Sequence, residues 1–279
     1  MHPQREHRSG SEQLLHYRPW RGQLRSPIST IWPIARHSLG LLFRRKLFWV
    51  LFALALFIFF MFFFGQYMLF WAESQAGQSS VPFLGKKTTP ATLIKVFRVK
   101  LKLNGTGVTY RTFFFYQGYM LMVVLALGGS LLVGNDLKHG SLPFYLSKSI
   151  SPTHYLLGKA LAIGLLVNLI TTVPALILFL QYGFLCTEVY FPDNWHLFWG
   201  IIGYGMVLTL VMTALLIAAS LRFRSTVPLI LTWTTLFFFC RQLSKGLVLR
   251  LNLDERWRLI DLWNSLNLVG YHLLGLDPS

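Results

Sequence analysis

From Leu47 to Phe64 the chain runs for eighteen residues without a charge, a hydroxyl or an amide. A helix made of this stretch has no polar face to turn toward water. A bilayer core about 30 Å thick takes roughly 20 apolar residues of helix, so the run, carried on to Trp71, is read as a membrane span. Composition agrees: 54% of the residues are hydrophobic and 13% charged, where a soluble domain carries about 25% charged residues. The expected fold class is an all-α polytopic membrane protein. Arg44-Arg45-Lys46 abuts the run and places the N-terminal side in the cytoplasm, since basic residues stay on that side. The run starts far into the chain, is longer than a signal's apolar region and lacks a small-residue cleavage site, so the span is expected to be retained.

Four further apolar stretches follow, at about 113–134, 155–182, 197–221 and 226–243, making five predicted spans. The last is short for a bilayer, and Arg241 at its end is expected to snorkel outward. In the third, Asn168, Thr171 and Thr172 share one face and Pro174 predicts a kink. A buried Asn in lipid faces either a translocation path or a neighbouring helix, and both readings stay open. Residues 1–26 form a basic tail. Residues 27–46 read as an amphipathic interfacial helix, with Ile28, Ile31, Trp32, Ala35, Leu39 and Leu42 at helical spacing. Residues 72–112 form an external segment. There the alternation from Ile94 to Leu103, followed by Asn104-Gly105, predicts a small β-hairpin. Residues 244–279 read as a C-terminal interfacial region too polar for a confident span.

With five spans, fourteen basic residues fall inside and twelve outside. The short connections discriminate better: Gly183 to His196 carries only acidic charges, Ser220 to Thr226 only basic ones. Both favour a cytoplasmic N-terminus.

Between the second and third spans lies a patterned polar connection, 135–155. Asp136 and Lys138 follow the apolar run, and Gly140-Ser141 break it. Leu142, Phe144, Tyr145 and Leu146 restore an apolar face, Pro152 is expected to stop any helix, and Gly158-Lys159 open the next span. The order Asp136, Gly140-Ser141-Leu142, Leu146-Ser147, Ile150-Ser151, Tyr155, Gly158-Lys159 resembles the signature loop of type-2 ABC exporter permeases. Ser149 and Pro152 depart from its usual proline and arginine. The resemblance extends through the order of spans from Arg36 to about Cys240. It implies a membrane subunit that pairs with a second permease subunit, as homo- or heterodimer, and docks a separate P-loop ATPase. The coupling element would comprise Asp136, Gly140, Leu142, Tyr155, Gly158 and Lys159. In that family the lead-in helix also contacts the ATPase, and a sixth span usually closes the domain; none is evident here. The implied location is the plasma (inner) membrane.

The chain itself carries no nucleotide-binding loop: Leu84-Gly85-Lys86-Lys87-Thr88 has Gly-Lys but lacks the upstream glycine and the following Ser/Thr. An enzyme is therefore not expected, nor a cofactor. The eight histidines are scattered without a metal-ligand spacing, so no metal is expected. Cys186 and Cys240 fall near one face, which leaves one disulfide or two lone thiols open. The net charge of +16 finds counter-ions in anionic lipid, not nucleic acid, because no nucleic-acid-binding fold accompanies it. No charge lies in the middle of the confident spans, which argues against an ion-coupled carrier. It leaves a non-transporting membrane scaffold or anchor as the alternative to the exporter permease.

Overall fold

The computed structural model describes residues 27–83, 85–129, 151–186, 189–223 and 226–277. A short helix α1 (Ile31–Phe43) meets the long α2 (Lys46–Ser74) at an elbow, where the Trp49 indole N–H donates to the Phe43 carbonyl at 2.8 Å. A two-stranded antiparallel sheet follows, β1 (Val81–Phe83) with β2 (Lys86–Thr88), registering Pro82 on Lys87. Next come α3 (Pro90–Lys95), running on as a π-turn over Val96–Lys100, and α4 (Gly107–Gly129). After the connection, α5 (Pro152–Ile170) and α6 (Thr172–Leu185) form one broken rod, then α7 (Trp195–Arg222) returns. The last part is α8 (Thr226–Thr234), a π-turn at Thr235–Phe239, α9 (Cys240–Lys245), a second π-turn at Gly246–Arg250, a 3-10 segment (Glu255–Ile260) and α10 (Leu262–Leu273).

Four helical stretches among the described residues are long and apolar enough to cross a membrane: Lys46–Ser74, Gly107–Gly129, Pro152–Leu185 and Trp195–Arg222. The helical run from Thr226 to Arg250, interrupted only by its π-turns, is compatible with a fifth crossing. On α2 the buried positions Ala55, Phe59, Phe62, Gln66 and Leu69 recur every three or four residues. The rest of its circumference, including Leu54, Phe57, Phe60 and Phe64, is exposed and apolar. A helix apolar all round with one face uncovered has lipid as its solvent. The protein is an integral membrane protein.

The hairpin expected between Ile94 and Thr112 is not formed there. Pro90 at the first helical position starts α3, and Leu93 and Phe97, four apart, are both buried. The helical period wins over the alternation that Phe97 already broke. Gly105 does take a left-handed φ of +68°, but it turns the chain into α4. Tyr190 closes this corner by donating its hydroxyl hydrogen to the Gly105 carbonyl, and Tyr110 then donates to Tyr190 at 3.0 Å. Burial pushes the Tyr190 hydroxyl up to about 12, so it remains a donor throughout the physiological range. The strand pair that does form sits earlier, around Gly85 at φ +77°.

The rod α5–α6 breaks at Thr171, three residues before Pro174, as the sequence predicts. Proline lacks an N–H, so the carbonyl of Ile170 loses its helical donor. Gln117 of α4 replaces it: its Nε2 donates to Ile170 O at 2.8 Å and to Ala55 O of α2 at 3.2 Å. One side chain thereby ties three helices at the break. Gln117→Leu is expected to lower stability by about 1 kcal/mol, the low end for orphaning a buried carbonyl, because the Gln117 Oε1 has no protein partner to lose. Adding Pro174→Ala restores an N–H for Ile170 and recovers part of that loss in thermal unfolding. A double variant no more stable than Gln117→Leu alone would contradict this account.

Helix α10 ends in a Schellman turn. Gly275 takes φ +67° and the Leu276 N–H reaches the Tyr271 carbonyl at 2.8 Å. The C-terminal region, read from the sequence as interfacial, contains α10, whose apolar face packs on protein. Trp263, 1% exposed, lies against α4 at Gly118, and Gly270 packs on Tyr204 of α7.

Candidate functional site

The joint between α1 and the start of α5 gathers the described part of the expected coupling element. Ser151 caps α5: its hydroxyl accepts from the His154 N–H and bonds the His154 ring Nδ1 and the Thr153 hydroxyl. Pro152, expected to stop a helix, instead opens this one at its first position, where the absent N–H costs nothing. Ala35, Ser38 and Leu42 form the buried stripe of α1, three and four residues apart. Gly158 lets the two helices close up: a Cβ there would lie 2.8 Å from Ile34 Cβ and 3.1 Å from the Ile31 carbonyl.

Lys159, one residue on, is 2% exposed. Its ammonium donates to Ser38 Oγ at 2.9 Å and lies 5.5 Å from the centre of the Tyr155 ring. Ser38 passes the bond on to the Ile34 carbonyl at 2.9 Å. The structure thus brings Tyr155, Gly158 and Lys159 together against α1. Asp136, Gly140 and Leu142 lie outside the described residues. Leu42 reaches past α5 to α4, where a Cβ at Gly128 would meet its Cδ1 at 3.1 Å. Helix α1 therefore touches the helices on both sides of the connection.

The opposite face of α1 is open. Trp32, Arg36, His37, Gly40 and Arg44 line a groove of about 380 Å³ on it. Trp32 stands 57% exposed. One face of α1 is fixed to α5, and the other presents cations and an aromatic ring.

Asn168, Thr171 and Thr172 lie at the break in the rod. Asn168 Nδ2 donates to Gly164 O at 2.8 Å and to Thr209 Oγ1 of α7 at 2.9 Å. Thr171 bonds back to the Val167 carbonyl at 2.8 Å. Thr172 presses on Gly205 of α7, where a Cβ would lie 2.1 Å from its Oγ1. Cys186 and Cys240 are free thiols, and no group of metal-ligating side chains forms among the described residues.

A second charged constellation escaped the sequence reading. Arg241, expected to snorkel outward, turns inward over Phe115 and Tyr119 of α4, 5.5 and 5.2 Å from their ring centres. Its Nε lies 4.0 Å from Asp261, which also caps α10 by accepting from the Asn264 N–H at 3.0 Å. The signal was the pair of opposite charges twenty residues apart, and periodicity does not connect them.

These features define a class: a polytopic α-helical membrane protein whose lead-in helix is bolted to the start of a later span. A family model described as ABC-2 family transporter protein matches residues 32–253. The chain belongs to the ABC-2 transporter family, as a membrane permease component of an ABC transporter. Comparisons with curated proteins and with solved structures returned no match.

Proposed function

We propose that this permease is the membrane subunit of an exporter driven by a separate P-loop ATPase. Two permease subunits, identical or not, pair in the membrane, and the ATPase docks on the cytoplasmic side, where α1 and the connection before α5 lie. The N-terminus is cytoplasmic and the membrane is the plasma (inner) membrane. The observation that carries this reading is the buried Lys159–Ser38 bond, which makes α1 and the start of α5 one mechanical unit. A push on the exposed Trp32, Arg36 and Arg44 face of α1 travels into α5 through that bond. Asp136, Gly140 and Leu142 supply the docking face, and Tyr155, Gly158 and Lys159 hold it to the span. Asn168, Thr171 and Thr172 serve helix packing in this scheme, since their contacts run to α7 and to their own helix.

The test is affinity purification of the full chain from its native membrane, with mass spectrometry of the recovered proteins. A stoichiometric P-loop ATPase is expected. Leu142→Ala and Tyr155→Ala are expected to lose most of it while helix content stays close to wild type, although Tyr155→Ala, at a buried position, also lowers thermal stability by about 3 kcal/mol. Full retention of the ATPase by both variants would remove the coupling role from these residues. Intact chain recovered without any ATPase would sink the exporter reading itself.

A further inference from the structure

Away from the α1–α5 joint, a cleft of about 250 Å³ opens between α2, α4 and the chain leading from α3 into α4. Ile58, Met61 and Phe62 of α2 and Tyr116 of α4 form its walls, and Lys100 stands at its rim beside Leu101. The cleft is built, not incidental. Leu103 seats against Gly65 of α2, where a Cβ would lie 2.5 Å from its Cδ1. Phe62 is clamped edge-on to Phe113, ring centres 5.4 Å apart.

Its chemistry is divided by depth. Met61 lies fifteen residues beyond Lys46, about 22 Å along a helix rising 1.5 Å per residue. That places the cleft in the leaflet at the hairpin end, below its headgroups, in a hydrocarbon core about 30 Å thick. The flanking α2 surface, Phe57, Phe60 and Phe64, is exposed and apolar, so the cleft opens sideways into acyl chains. The charge lining the cleft is Lys100, and Arg98 and Lys102 stand two residues to either side of it in the chain. Arg98 is occupied by Glu73 at 2.7 Å, while Lys100 and Lys102 are exposed and have no ion pair among the described residues. Lysine stems of this kind lie along apolar surface and lift the ammonium to headgroup level.

We propose that this cleft binds one anionic phospholipid from the leaflet at the hairpin end. The phosphate sits on Lys100, and one acyl chain lies along Ile58, Met61 and Tyr116. A zwitterionic lipid fills the apolar part equally well but lacks the net charge that matches Lys100, the cation lining the cleft. The inference needs only that the chain is embedded in a membrane and does not depend on the exporter reading.

The test is native mass spectrometry of the full-length chain in detergent, titrated with phosphatidylglycerol or with phosphatidylcholine. The wild-type chain is expected to hold one phosphatidylglycerol more tightly than phosphatidylcholine. Lys100→Gln and Lys100→Glu should weaken phosphatidylglycerol by about fivefold or more, the scale of one lysine at a charged surface, and leave phosphatidylcholine unchanged. Met61→Trp, which fills the cleft from the α2 side, should weaken both lipids. Lys87→Glu, on the exposed β2 strand, should change neither. Wild-type affinity and preference in Lys100→Gln would overturn the proposal, because this exposed side chain is replaced without threat to folding. So would unchanged lipid binding in Met61→Trp. Loss of a dimer mass in the cleft variants, with lipid adducts intact, would show the face to be a contact between two copies and would equally overturn it.

Discussion

Lys159→Met is expected to release α1 from α5 while leaving the remaining helices folded. The side chains are similar in volume, so packing around Tyr155 and Gly158 changes little, and what is lost is the buried charge with its bond to Ser38. A hydrogen bond from a charged donor contributes about 1.5–3 kcal/mol, enough to raise the detached population of α1 by tenfold or more. Hydrogen exchange reads this directly: the amides of Ile31–Phe43 should lose protection, and those of α4 and α7 should not. Ser38→Ala should act in the same direction but more weakly. It removes one acceptor of an ammonium that also lies against the Tyr155 ring, and it leaves no charge unaccompanied. Under the proposed function, ATP-driven transport falls with α1 protection, in the same order across the two variants. Wild-type exchange over Ile31–Phe43 in Lys159→Met would mean that the joint is held by apolar packing alone.

That joint was half legible in the sequence. The apolar stripe of Ala35 and Leu42 follows from helical spacing, and Gly158-Lys159 stood out at the start of a span. Their meeting is a contact across 121 residues, which no local period encodes. The same limit explains Gln117. A glutamine in a span reads only as a polar residue needing a partner, and that partner is a carbonyl orphaned by a proline 57 positions later. The long apolar runs were readable because eighteen residues without a polar group have few alternatives to a span. The segment 94–112 was misread for the converse reason. Its alternation is short, its one irregularity at Phe97 was the buried helical position, and Asn104-Gly105 turns the chain into a helix as readily as into a strand. Arg241 was misplaced because snorkelling is the default for an arginine at the end of an apolar run. Here Asp261, and the rings of Phe115 and Tyr119, offer it a site inside the bundle.

The second large effect concerns the C-terminal end of α10, which is held by backbone against backbone. A Cβ at Gly107 of α4 would lie 2.4 Å from the Leu274 carbonyl oxygen, and one at Gly200 of α7 would lie 2.3 Å from that of Leu273. A side chain in the way can swing aside, but a carbonyl at the end of a helix moves only with the helix. Gly107→Ala and Gly200→Ala are therefore each expected to destabilise by about 1–3 kcal/mol, the usual cost of overpacking, although alanine is the better helix former. Gly203→Ala supplies the contrast. It lies on the same helix as Gly200 and faces the same Leu273, but its Cβ would sit 3.7 Å from the Cδ2 of that side chain, an ordinary contact. Propensity then decides, and Gly203→Ala should stabilise by up to about 1 kcal/mol. The double variant Gly107→Ala/Gly200→Ala should cost less than the sum of its parts. Once one alanine has pushed α10 off its seat, the second meets no obstacle, and neighbouring sites that share a displacement are not additive. Thermal unfolding in detergent gives the ranking, and exchange at Leu262–Leu273 shows whether α10 is the element that moves. If Gly200→Ala and Gly203→Ala behaved alike, the seat would be softer than these distances require, and α10 would be held by Trp263 and Asp261 at its other end.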